Sequence, residues 1–226
     1  MPKEVSKSLL IVTLVMVTLF LGLGLFIPAG DFLWFEAWIY LILFFIFFMV
    51  VILYFSKYDP ELLQKRAKPE FKEKWDKIVM IFMGFGFMPV LILPGFDRKY
   101  GWSNVHPLVE IIGFIGFSLS LIFLFLVMKE NTYLSKAVEI QKDRGHKVIT
   151  TGPYRIVRHP MYTAFILFII CDCLALGSLY SLIPAAIGVV GLIIRTVLED
   201  RMLHKELEGY TEYAQKTKKK LIPFIW

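Results

Sequence analysis

Residues 161–198, "MYTAFILFIICDCLALGSLYSLIPAAIGVVGLIIRTVL", form an apolar region that is broken once, at Gly177-Ser178. The two halves have 16 and 20 residues, compared with the length of about 20 residues with which a helix crosses the hydrocarbon core of a bilayer. Two turn-forming residues between two such halves predict a helical hairpin inside the membrane. The hairpin places the chain among integral membrane proteins.

Four further apolar runs precede the hairpin, at residues 8–29, 33–55, 78–96 and 108–128. Of the 226 residues 57% are hydrophobic and 19% are charged, which is more apolar than a soluble domain of this length requires. The sequence therefore predicts an all-α, multi-pass membrane helix bundle of about six spans, of which the last two form the hairpin. The first run has no signal-peptide cleavage site, so we expect it to be retained.

The lysines and arginines are distributed unevenly. The N-terminus, the segments 57–77 and 129–158, and the tail from Arg201 contain 22 of them, whereas the opposing connections contain two, Arg98 and Lys99. Because positively charged short loops stay on the cytoplasmic side, both termini are predicted to be cytoplasmic. This topology, with attraction to anionic membrane lipids, accounts for the net charge of +6, and no basic stripe interleaved with aromatic residues indicates nucleic acid.

Four polar or ionisable residues stand out inside the hairpin. Cys171 and Cys173 are two positions apart on a helix and point about 200° away from each other, so we expect buried, inert thiols and no metal site. Asp172, between them, is a candidate functional residue because ionisable groups are costly at membrane depth. Arg195 is the remaining cation inside a predicted span, and it needs a partner for the same reason.

The segment between the fourth run and the hairpin, "NTYLSKAVEIQKDRGHKVITTGPYRIVRHPMY" at residues 131–162, is too long for a plain linker. Gly145 and Gly152-Pro153 predict turns, with a short extended strip between them. Pro160 suits the first turn of the following helix. We therefore expect the segment to fold back over the mouth of the hairpin. By contrast, the loop 57–77 is predicted to lie at the membrane interface as an amphipathic, structural segment.

Arg195 and Glu199 are four positions apart, so they share one face of the last membrane helix. One interpretation is an ordinary salt bridge, with Arg195 reaching towards the interface. The other is a ligand site, because polar groups that converge at the rim of an apolar cavity are typical of small-molecule sites. The second interpretation would join the pair to polar residues of the preceding segment, namely Gln141, His146, Tyr154, His159 and Tyr162.

Three elements, "GHKVITTGPYRIVRHPMY", "RTVLED" and "GYTEYAQKTKKKLIPFIW", occur in this order and membrane setting. Together they resemble the isoprenylcysteine carboxyl methyltransferase family and, more broadly, the membrane phospholipid methyltransferases. The resemblance covers about residues 129–226 and implies methyl transfer from S-adenosyl-L-methionine within the membrane, with a lipophilic or lipidated substrate entering from the bilayer. It divides the chain into a four-helix region, 1–128, and a cofactor-binding methyltransferase region, 129–226, with a cytoplasmic tail.

The resemblance also assigns residues. The cofactor contacts fall on Gln141, His146, Lys147, Val148, Ile149, Tyr154, His159, Pro160, Met161, Tyr162 and Glu199. The substrate-orienting arginine falls on Arg195. The tail reads "ELEGYTEY" and departs from the family pattern, so no contacts are transferred there, and Asp200 stands where a glutamate is common. Arg155 and Arg158 are expected to anchor to lipid phosphate.

The acceptor implied by the resemblance is a carboxylate, as in isoprenylcysteine, which needs no base because it is already anionic. An alternative is N-methylation of a phospholipid amine, for which the sequence offers no clear base. A membrane reductase of the sterol type would use NADPH instead, and Arg155, Arg158 and Arg201 are candidate phosphate ligands for it. A membrane protein without enzymatic activity is the remaining alternative.

Overall fold

The computed structural model describes residues 6–67, 69–223 and 226, so Lys3 and Lys68, which enter the predicted charge distribution, lie outside the described residues. The regular secondary structure of the described residues is helical throughout, which confirms the all-α fold class. The α-helices are α1 (Lys7–Ala29), α2 (Phe35–Tyr58), α3 (Pro60–Ala67), α4 (Lys74–Val90), α5 (Leu93–Tyr100), α6 (Pro107–Glu130), α7 (Pro160–Ala175), α8 (Leu182–Glu206) and α9 (Tyr210–Lys216).

Within the described residues, five segments are long and apolar enough to cross a membrane. These are Ser8–Ala29, Phe35–Tyr58, Lys74–Tyr100, Pro107–Glu130 and Leu182–Glu206. The third combines α4 and α5. The apolar helix α7 has only 16 residues. It is therefore about 24 Å long, shorter than the roughly 30 Å hydrocarbon core. The multi-pass prediction is confirmed, but in the described part of the chain five segments rather than six are long enough to span the membrane.

The predicted hairpin is present, since α7 and α8 are joined by a turn in which Gly177 has a φ of +68°. α7 packs along α6, and α8 packs along α4. These crossings are close because glycines lie at them: a Cβ added to Gly113 would be 2.4 Å from the backbone nitrogen of Ala175, and one added to Gly86 would be 2.3 Å from that of Gly188. Both predicted regions thus share one bundle, and the division between them stays a prediction.

The lysine-rich and arginine-rich connections meet at one end of the bundle, which we call the cationic end. Arg144, in the segment between α6 and α7, donates to Glu61 of α3 at 2.9 Å. Arg158, further along that segment, donates to carbonyls of the tail after α9. At the opposite end Ser178 donates to Asp97 at 2.6 Å. That the cationic end and both termini face the cytoplasm stays a prediction.

The chain enters α7 through a tight turn. The residues "GPYR" form a short 3-10 helix, Gly152–Arg155, in which Gly152 adopts a φ of +55°. Pro160 is the first residue of α7, as predicted. The tail then lies across this entrance, because the backbone N–H groups of Arg158 and His159 donate to carbonyls of residues 219 and 220, both at 2.9 Å. The entrance to α7 is thereby fixed on both sides.

The polar residues near the far end of α7 are buried. Cys171 and Cys173 are free thiols inside the bundle, as predicted. Asp172 lies beside Tyr40 of α2, and its Oδ1 atom makes no hydrogen bond to a described residue. A functional role for Asp172 stays a prediction.

Candidate functional site

An open cleft of about 800 Å³, a volume that includes its solvent-filled mouth, lies at the cationic end. Its walls come from the segment between α6 and α7, the first turn of α7, the second half of α8, and α9. Every residue that the sequence assigns to the site, with the exception of Gln141, lines this cleft: His146, Lys147, Val148, Ile149, Tyr154, His159, Pro160, Met161, Tyr162, Arg195 and Glu199.

Arg195 is 7% exposed, and its partner differs from the one that the sequence suggests. Asp76, in the first turn of α4, accepts hydrogen bonds from Nε at 2.9 Å and from Nη2 at 3.2 Å. Among the described ion pairs, Arg195 has none with Glu199, so the interpretation as a simple salt bridge between these two residues is wrong. The sequence misses Asp76 because it lies 119 positions away in a loop that appeared structural.

The guanidinium of Arg195 has five N–H groups, and three of them are occupied. Besides the two that Asp76 accepts, the second N–H of Nη2 donates to the carbonyl of Lys136 at 2.6 Å. The ring of Tyr162 lies 5.7 Å from the guanidinium carbon. Nη1 makes no hydrogen bond to a described residue and is therefore the nitrogen that remains for a ligand.

Glu199 lies one turn after Arg195, and its carboxylate is held rather than free to rotate. The hydroxyl of Tyr162 donates to Oε2 in a short hydrogen bond. Nδ1 of His159 is 3.9 Å from Oε1, and the side chain of Glu199 remains 22% exposed towards the cleft. The rings of His159 and Tyr162 are nearly parallel, with centroids 5.9 Å apart. The carboxylate can accept a hydrogen bond from a cationic ligand group.

Arg158 is not a lipid anchor. It is 8% exposed, and its guanidinium donates to both oxygens of Asp200, at 2.8 Å and 3.1 Å. Nη1 also donates to the carbonyls of Thr217 and Lys218. The side chain points inward because it donates hydrogen bonds to the carbonyls of the tail. The sequence does not reveal that the tail lies there. Arg155, in contrast, is exposed and is compatible with the predicted lipid contact.

Gln141, predicted as a cofactor contact, does not line the cleft. It is 1% exposed, its amide donates to the carbonyl of Tyr133 at 2.8 Å, and its side-chain oxygen accepts from Arg144 at 2.6 Å. Its backbone N–H donates to Nδ1 of His146 at 3.3 Å. These hydrogen bonds occupy the polar groups of Gln141 within the loop itself. Gln141 therefore stabilises the loop that carries the strip from His146 to Ile149.

His146 itself is neutral at physiological pH. Burial, together with the nearby cation of Arg144, lowers the pKa of its imidazole to about 4. The neutral ring is consistent with Nδ1 accepting a hydrogen bond, and it stacks on the ring of Tyr133 at 4.3 Å between centroids. His146 therefore contributes an uncharged ring to the cleft.

Two tyrosines of the tail also line the cleft, although the sequence assigns no contacts there. The hydroxyl of Tyr210 donates to Asp200 at 2.9 Å, and that of Tyr213 donates to the carbonyl of Tyr154 at 2.7 Å. Their spacing of three positions, which places both on one face of α9, is a signal by which they could be found. Gly209, with a φ of +80°, provides the turn that brings α9 back against the cleft.

Glu139 is a further lining residue that the sequence does not single out. Its carboxylate is buried, and neither oxygen makes a hydrogen bond to a described residue. Lys65 and Lys72 lie 3.9 Å and 3.8 Å from it, which is too far for hydrogen bonds but close enough to offset its charge.

A family of known proteins matches the region of the chain that forms much of the cleft. The family model described as "Isoprenylcysteine carboxyl methyltransferase (ICMT) family" matches residues 111–205. The match includes most of α6, the segment that lines the cleft, α7 and nearly all of α8. Asp76 and the tail tyrosines lie outside it.

Two relatives align with more than half of the chain. Protein-S-isoprenylcysteine O-methyltransferase B of Arabidopsis thaliana is 26% identical over 144 residues, which are 60% of this chain and 66% of that protein. Cobalt-zinc-cadmium resistance protein CzcN of Cupriavidus metallidurans is 31% identical over 136 residues, 58% of this chain and 56% of that protein. The chain thus covers less than two thirds of either relative. Residues 111–205 are therefore similar to the isoprenylcysteine carboxyl methyltransferase family.

Proposed function

We propose that the protein transfers a methyl group from S-adenosyl-L-methionine to a lipophilic carboxylate at the membrane. The observation that carries the proposal is the convergence, around one cleft, of a held carboxylate, Glu199, and the guanidinium of Arg195, whose Nη1 has no hydrogen-bond partner among the described residues. The two lie on one face of α8, at the end of the bundle where a polar ligand and a membrane-embedded one can meet. The match of residues 111–205 to a family model described as carboxyl methyltransferases supports the same activity.

The donor set of the cleft fits the cofactor. Residues 147–150 have no regular secondary structure, and their backbone N–H groups make no hydrogen bonds to other described backbone groups, so they remain available to a purine. The carboxylate of Glu199 suits an ammonium group. The face of Tyr162 suits a sulfonium. The hydroxyl of Tyr154 accepts from Asn131 at 2.8 Å and keeps its own hydrogen for a ligand carboxylate. Burial raises the pKa of Tyr154, so this hydrogen is retained.

When bound, S-adenosylmethionine supplies an electrophilic methyl group. The residues of the chain have the tasks of orientation and water exclusion, which account for much of the rate of a displacement between two bound partners. The acceptor carboxylate is anionic at neutral pH, so no base has to remove a proton. Nη1 of Arg195 would donate to one of its oxygens and leave the other oxygen to attack.

The hydrogen bonds of Arg158 within the protein argue against the NADPH alternative. Four hydrogen bonds to Asp200 and the tail carbonyls occupy this guanidinium, so it is not available to a ribose phosphate. Arg155 and Arg201 are exposed. This arrangement favours the methyltransferase over the reductase.

A thermal-shift titration of the detergent-purified protein tests the proposal. S-adenosylmethionine and S-adenosylhomocysteine should each raise the melting temperature in a saturable manner, because a ligand that binds only the folded state stabilises it. NADPH at the same concentrations serves as the control and should have no effect. Stabilisation by NADPH alone would contradict the proposal and favour a reductase.

A further inference from the structure

Asp76 is a fully buried carboxylate, and both of its oxygens accept hydrogen bonds. Its oxygens accept hydrogen bonds from Nε and Nη2 of Arg195 and, at 2.8 Å, from the backbone N–H of Val138. Asp76 does not itself line the cleft, and it lies outside the part of the chain that matches the family model. It joins α4, α8 and the segment between α6 and α7 at one point.

These contacts fix the plane of the guanidinium. A two-pronged contact with a carboxylate permits little rotation, and the carbonyl of Lys136 holds the same plane from the adjacent N–H of Nη2. The ring of Tyr162 lies 5.7 Å from the guanidinium carbon. Arg195 is therefore held so that Nη1 alone is left for a ligand, and a two-pronged contact with an acceptor carboxylate through two nitrogens is not available.

The same contacts reduce the net positive charge that an acceptor carboxylate meets at Arg195. Asp76 already neutralises Arg195, so a second carboxylate at Nη1 meets an ion pair instead of an uncompensated cation. A guanidinium without Asp76 would bind an anion more tightly, because an unpaired buried charge is costly. Tighter binding of the ground state does not speed the reaction and also lowers the electron density on the attacking oxygen.

We propose that Asp76 is a positioning residue that orients Arg195 towards the acceptor carboxylate and limits the contact to Nη1. This inference rests on the proposed function. It assigns to α4 a part in acceptor recognition, and it implies that the acceptor is held through one oxygen while the other remains reactive.

The test compares Asp76→Asn with Asp97→Asn. Asp97 is also a buried carboxylate with several hydrogen bonds, but it lies at the opposite end of the bundle, so its variant controls for lost stability. Calorimetry with a prenylcysteine carboxylate and with its carboxamide, in the presence of S-adenosylhomocysteine, measures acceptor binding. Steady-state kinetics measure kcat and KM.

We expect Asp76→Asn to bind the carboxylate several-fold more tightly than the wild type, to bind the carboxamide and S-adenosylhomocysteine unchanged, and to lose about tenfold or more in kcat. Asp97→Asn should change only the melting temperature. A merely structural role would weaken the binding of all three ligands together. Weaker or unchanged carboxylate affinity in Asp76→Asn would therefore overturn the proposal.

A second variant covers the case in which Asp76→Asn does not fold. Asp76→Glu keeps the charge but displaces the guanidinium, so kcat should fall without tighter carboxylate binding, and a wild-type kcat would overturn the proposal. Failure of both variants to fold would also overturn it, since Asp76 would then be a structural residue. A wild-type protein that binds the carboxylate more tightly than the carboxamide but does not methylate it would contradict the proposed function only. A wild-type protein without that preference would contradict this inference.

Discussion

Arg158 provides a sharp test of the architecture of the site, through the variant Arg158→Lys. The guanidinium makes four hydrogen bonds, two to Asp200 and two to carbonyls of the tail. Lysine retains the charge but has no planar fork, so at least two charge-assisted hydrogen bonds are lost. Each such bond contributes about 1.5–3 kcal/mol, and partial replacement by the ammonium group reduces the total, so we expect a loss of roughly 2–4 kcal/mol.

For a protein of this size that loss corresponds to a fall in melting temperature of roughly 4–16 °C. The buried thiols Cys171 and Cys173 provide the assay, because a thiol-reactive dye labels them only when the bundle opens. Arg155→Lys is the matched control: the residue lies three positions earlier in the same connection but is exposed. It should melt like the wild type.

A melting temperature of Arg158→Lys within about 2 °C of the wild type would refute this reasoning. It would mean that the bonds to Asp200 and the tail do not hold the entrance to α7, and that Arg158 behaves as a surface cation. A fall that disappears on addition of anionic lipid would instead restore the interpretation as a lipid anchor.

Three further predictions concern the cofactor, the loop and the helix packing. Glu199→Gln should weaken binding of S-adenosylhomocysteine by roughly 1–3 kcal/mol in calorimetry, and unchanged affinity would remove Glu199 from the site. Because the pKa of His146 is about 4 in the folded state and lies below its ordinary value near 6.5, the unfolded chain binds more protons between these values. Stability should therefore fall as the pH drops from about 6.5 to 4, and His146→Gln should make the fall shallower; an unchanged slope would contradict the assignment. Gly86→Ala should destabilise the bundle by about 1–3 kcal/mol, because the new methyl group would collide with the backbone of α8 at Gly188, whereas Gly84→Ala, at an open position, should not.

The helices and the hairpin are predictable from the sequence because apolar runs of membrane length permit few other structures. The short α7 is the exception. Its first turn begins inside the protein, under the tail, so the apolar pattern does not reveal how much of the bilayer it crosses. The cleft is predictable in large part because the residues from His146 to Tyr162 and the pair on α8 form local motifs.

The remaining contacts are not predictable because they depend on distant parts of the chain. Asp76 reaches Arg195 across 119 positions, and nothing in the loop 57–77 distinguishes this aspartate from its charged neighbours. Arg155 and Arg158 are three positions apart in one connection, and only the position of the tail determines which of them points inward. Gln141 resembles a ligand contact because its loop is polar, but the loop uses its amide internally.

The most direct test of the central claim is transfer of a radiolabelled methyl group from S-adenosylmethionine to a prenylcysteine by the purified protein in lipid vesicles. The account predicts label that is released as methanol by base, since a methyl ester is hydrolysed under these conditions, and no label on the corresponding carboxamide. Absence of transfer, or label that base does not release because it resides on an amine, would contradict the account.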